Sequence, residues 1–149
     1  METFKEKIGE ISLFLFLGLI VSGLSEYLKS DFLDDFFKHN LMEVLVVMFS
    51  INITVIGLTV TKIKEFAGER MRIFAPVISE LRLTIWYQIV IIAVSLLLLI
   101  ICDSSAFVCA YPMGTLIINA ILSAGLFYNI EVLRDTATAI FRLFDEESK

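Results

Sequence analysis

Leu83–Cys102 reads LTIWYQIVIIAVSLLLLIIC, without a charged residue from one end to the other. At about 1.5 Å per helical residue, such a run covers the roughly 30 Å of a bilayer's hydrocarbon core. Its later part, Ile89–Ile101, is almost purely aliphatic, which predicts a span facing lipid. Three more charge-free runs repeat the pattern: Ile11–Ser25, Val44–Thr61 and Met113–Ile130. The reading is an all-α, polytopic membrane protein with four transmembrane helices. The spans are expected at about 8–28, 41–63, 77–102 and 112–133, in a single domain covering 1–149. An amphipathic helix over 134–145 is expected to project beyond the last span.

Composition agrees. The 149 residues are 58% hydrophobic, and mean hydropathy is +0.85. Four spans leave short connections and one tail, so no separate soluble domain fits. The net charge of −5 is spread over small segments, with no dense basic patch, which argues against direct nucleic-acid binding. Lys5 and Lys7 followed by an apolar core and Ser22–Gly23 share the layout of a signal peptide; we read the segment as a retained transmembrane helix.

The basic residues predict orientation. Lys5, Lys7, Lys62, Lys64, Arg70, Arg72, Arg82, Arg134, Arg142 and Lys149 lie in the segments that share one side of a four-span layout, and only Lys29 and Lys38 lie on the other. Short loops rich in Lys and Arg stay inside. Both termini and the middle loop are therefore expected in the cytoplasm.

Small and polar residues recur at helical spacing. Gly18 and Ser22 form a small face on the first span. Ser50, Thr54, Gly57 and Thr61 form another on the second, and Thr115, Asn119 and Ser123 a polar face on the fourth that can meet Ser50 and Thr54 at similar depth. Such faces let helices approach closely in lipid, or line a pore in an oligomer. They predict a homo-oligomer. Asn52 falls near mid-membrane, where an unpaired amide is costly, so it is expected to bond to another helix. Between the first two spans, Asp31, Asp34 and Asp35 alternate with Phe32, Leu33, Phe36 and Phe37. This predicts a short interfacial helix with aromatics toward acyl chains and aspartates toward water.

Two surfaces are expected on the inside. The middle loop mixes Glu65, Arg70, Arg72 and Phe74, and the tail carries Arg134, Phe141 and Phe144. Such mixed aromatic and charged surfaces suit the inner leaflet or a docked soluble effector. Cys102 and Cys109 bracket the third connection and are a possible disulfide, with free thiols as the other reading.

Catalytic constellations are not found. No acid or base sits in the middle of a span, as proton-coupled transport needs. No phosphate loop, zinc helix or nucleophile elbow occurs, and the single His39 has no partners for a metal site. No catalytic residue, metal or cofactor is expected, and the protein is read as a non-enzyme.

Four spans in a chain of this length, both ends inside, a basic inner loop, and a polar last helix running from Tyr111–Pro112 into Phe144–Asp145–Glu146–Glu147 resemble the small four-span membrane proteins of bacterial phage defence. These are the membrane subunit of the Kiwa system, KwaA, and the exclusion proteins of the RexB type. The first resemblance implies a homo-oligomeric membrane sensor holding a cytoplasmic effector; the second implies an ion-conducting protein. Neither brings catalytic residues. A thiol oxidoreductase would account for Cys102 and Cys109 alone.

Overall fold

In a computed structural model, the backbone is described for residues 2–67, 75–104 and 112–147, and side chains within these for 9–65, 75–104 and 113–138. The described residues form five helices: α1 (Glu2–Leu28), α2 (Phe32–His39), α3 (Leu41–Ala67), α4 (Ala75–Asp103) and α5 (Pro112–Glu147). Four contain segments long and apolar enough to cross a membrane: Gly9–Leu28, Leu41–Glu65, Ala75–Asp103 and Met113–Thr138. The protein is all-α and multi-pass, and each helix satisfies its backbone internally, as hydrocarbon requires.

α5 is the hub. α1 packs along one side of it, α3 and α4 pack on it and on each other, and α2 touches α1, α3 and α5. Beside an apolar core, the interior holds several polar residues, and much of the outside is apolar. Asn52, Thr59, Gln88, Ser95, Ser123, Asn129 and Thr136 are buried, while Leu13, Phe16, Leu97 and Ile100 are among many large apolar side chains left exposed. Such an exterior would be unfavourable in water; in lipid the outer surface needs no polar groups, and buried polar groups must find partners within the bundle.

The antiparallel α1–α5 contact is close. A Cβ at Gly18 would collide with the carbonyl oxygen of Ala120 and lie 3.1 Å from the backbone nitrogen of Ala124. One turn along, the Ser22 hydroxyl donates to the carbonyl of Leu116 at 2.9 Å, and Phe14 meets Tyr128 edge-on at the other end. Small residues on both helices thus let the backbones meet without side chains between them.

α1 ends in a left-handed turn at Lys29, φ 52°. The amide of Ser30 donates to the carbonyl of Ser25 and that of Lys29 to Glu26, both at 3.0 Å, which closes the two-bond cap usually built on glycine. Asn40 alone separates α2 from α3: its amide donates to Phe36 at 2.8 Å, and its carbonyl accepts from Val44 at 3.0 Å.

α2 forms where the sequence places it and leaves Asp31, Asp34 and Asp35 exposed, but not all of its aromatics face outward. Phe37 is 3% exposed and sits in a core with Leu41, Leu45, Ile118 and Leu122. Asp34 accepts a hydrogen bond from Asn119 Nδ2 at 2.7 Å. With helices on three sides at this end, the bundle takes the aromatic that a lone interfacial helix would leave to the acyl chains. Phe32, on the outer side, does remain 69% exposed.

Candidate functional site

Three carboxamides meet at the centre of the bundle, one each from α3, α4 and α5. Asn52, Gln88 and Asn129 are all 0% exposed. Asn52 Nδ2 donates to Gln88 Oε1 at 2.7 Å. Gln88 Nε2 donates to Asn129 Oδ1 at 3.1 Å. Asn129 Nδ2 donates to the carbonyl of Gly125, one turn back, at 2.9 Å. A backbone carbonyl only accepts, so it fixes the direction of the whole chain. Asn52 Oδ1, at the head, has no hydrogen-bond partner among the described residues.

Local sequence sets this geometry. On α3, Asn52, Ile56, Thr59 and Ile63 are buried at steps of four, three and four, the period of one helix face. On α4, Gln88 and Ser95 are the buried positions, two turns apart. Gly125 lets α4 come near: a Cβ there would lie 3.3 Å from Ile91 Cγ2. Carboxamides neither donate nor accept a proton at ordinary pH. The chain is a three-helix clamp rather than a proton path, and its hydrogen bonds stand where no water competes.

The expected interhelical bond of Asn52 is present, with Gln88 as its partner. Gln88 and Asn129 were not singled out from sequence. The signal available was that Gln88 is the lone carboxamide in an otherwise apolar run, two turns before Ser95. Gly18 and Ser22 lie in the α1–α5 contact. Ser123 is buried, and its Oγ has no hydrogen-bond partner among the described residues.

Ser50, Thr54 and Gly57 are exposed on the outer side of α3, with Thr61. Within one chain, Asn119 therefore does not meet Ser50 and Thr54; it meets Asp34 instead. The three hydroxyls of this outer face turn back on their own helix. Ser50 donates to the carbonyl of Val46 at 2.8 Å, Thr54 to Ser50 at 2.9 Å and Thr61 to Gly57 at 2.9 Å.

Of the docking residues, Glu65 is exposed and pairs with Lys62 at 3.0 Å. Arg134 is exposed and pairs within α5 with Glu131, and with Asp135 at 3.3 Å. Arg70, Arg72 and Phe74, and the side chains of Phe141 and Phe144, lie outside the described residues. Cys102 is half-buried beside the Phe37 core. Cys109, and with it the disulfide, lies outside the described residues. Among the described residues, no cluster of His, Cys, Asp or Glu suited to a metal ion occurs.

The chain matches no family model, no curated protein and no solved structure.

Proposed function

We propose that this protein is a signal-transmitting subunit of the bacterial inner membrane, a homo-oligomeric sensor and scaffold that recruits or regulates a cytoplasmic effector in defence against phage. The observation that carries this is α5. Every other helix packs on it, and it continues as one 36-residue helix past its 26-residue apolar span. A displacement at the α2 end is therefore conveyed along one rigid rod to the tail. Both termini are assigned to the cytoplasm from the basic residues, and the defence setting comes from the architectural resemblance. The amphipathic end of α5, with Phe141 and Phe144, is assigned as a projecting docking helix, together with Glu65 and the basic middle loop.

The test is a phage challenge of cells carrying the native locus. Phe141→Ser with Phe144→Ser should remove protection while membrane insertion stays unchanged. Undiminished protection would reject the docking surface. The outward face of Ser50, Thr54, Gly57 and Thr61 favours a second reading, in which an oligomer lines a pore with it. Purified protein that depolarises liposomes without a partner would decide for that channel.

A further inference from the structure

We propose that α2 is a hinged lid on the α3–α4–α5 end of the bundle, seated by Phe37 and latched by the Asp34–Asn119 hydrogen bond. Both ends of α2 are short joints, each closed by backbone hydrogen bonds. Before it stands the left-handed Lys29, in a backbone region that side-chain-bearing residues seldom adopt. After it, Asn40 alone intervenes before α3, at φ −120° and ψ −22°. Between these joints an eight-residue helix is too short to hold itself without tertiary contacts.

Phe37 and the Asp34–Asn119 bond hold it, with Leu33 and Phe36 packed beside Phe37 against the same core. Phe37 fills the end of the core above Leu41 and Leu45, which are both fully buried. Asp34, itself exposed at the rim of this seat, reaches Asn119, 85 residues away, at 2.7 Å. The opposite side of α2 faces outward: Asp31, Asp35 and Lys38 are exposed, as is Phe32, which stacks on Phe36 with ring centroids 6.1 Å apart. The lid is thus shared between bundle and surroundings, with Phe37 and the partly buried Phe36 against the core and Phe32 outside. Its latch partner Asn119 belongs to α5, the helix that runs on to the tail. This deepens the signalling reading and rests on it for its purpose: α2 is the input element, and release of Asn119 is what α5 senses.

Lid opening is measurable without an effector. In a Cys102→Ala, Cys109→Ala background, Leu45→Cys and, separately, Leu41→Cys place a thiol under the lid, and a water-soluble maleimide reports its exposure. The labelling rate follows the open population when closing is fast, so Asp34→Ala or Asn119→Ala should raise it about tenfold. Asp34→Asn keeps the accepting oxygen and should stay within about twofold of the parent. A thiol at Ile63→Cys, buried at the far end of α3, should stay protected throughout. Equal labelling in all latch variants would overturn the lid. So would Ile63→Cys opening in step with Leu45→Cys, because the pair would then be holding the whole fold. So would Asp34→Asn behaving as Asp34→Ala does. A latch that behaves as proposed in a protein whose tail variants keep full protection would leave the lid standing and reject the signalling reading.

Discussion

Asn129 is the last amide of a chain in which each amide depends on the next. It accepts from Gln88 and donates to Gly125. Asn129→Leu would strand the Gln88 amide in an apolar interior, at a cost of about 1–3 kcal/mol. Replacing Asn52, Gln88 and Asn129 together with leucine, methionine and leucine leaves no stranded partner and should come nearer to neutral, as apolar replacement of whole buried polar sets often does. Thermal unfolding in mild detergent measures both. A triple variant less stable than Asn129→Leu would show that the clamp contributes net stability. A double-mutant cycle on Asn52 and Gln88 should return a coupling of about 0.6 kcal/mol, the size common for such bonds in membranes.

At the scale of the helix, α1 and α5 are held by an absence of side chains. Gly18→Leu must push α1 off the Ala120 carbonyl, and overpacking a close contact costs about 1–3 kcal/mol. We expect a fall in thermal midpoint and faster proteolysis of α1, with α3 and α4 still paired. Gly57→Leu is the control, since nothing lies within 4 Å of a Cβ there. The other end of α1 offers the opposite sign. Lys29 holds a left-handed conformation that costs a side-chain-bearing residue about 1 kcal/mol, and its cap bonds involve only backbone. Lys29→Gly should therefore stabilise by up to about 1 kcal/mol, less the entropy that glycine adds to the unfolded chain. Lowered stability in the same unfolding assay would mean that the lysine side chain matters at that turn.

For the whole molecule, the open question is what covers the outer side of α3. Its hydroxyls are satisfied by their own carbonyls, so the face is polar in composition but tolerable in lipid. If copies associate through it, Thr54→Leu with Gly57→Leu should reduce the detergent-corrected mass toward the 16.9 kDa of one chain, without lowering the thermal midpoint of the chain itself. An unchanged assembly would place the contact on another face. Gly18 and Ser22 are already engaged within the chain and should not alter the mass independently of stability.

Residue by residue, the sequence by itself determined the four spans and the short helix between the first two. Backbone polar groups in hydrocarbon must close on themselves, so a charge-free run of sufficient length has one outcome. It also determined that Asn52 needs a partner, because an amide in lipid is costly wherever the helix turns. It did not determine which partner. Gln88 disappears into the hydropathy of its neighbours, and Asn129 lies at the end of a run where polarity is expected. Nor did it choose between the two polar faces of α3. The tertiary structure turns Asn52 inward and leaves Ser50, Thr54 and Thr61 outside. The reason is chemical: a hydroxyl satisfies its one donor on the carbonyl one turn back, whereas a carboxamide has two donor hydrogens and an acceptor oxygen, more than one carbonyl of its own helix can satisfy. Bringing three helices to that end of the bundle likewise put Phe37 in the core and gave the exposed Asp34 a partner in Asn119.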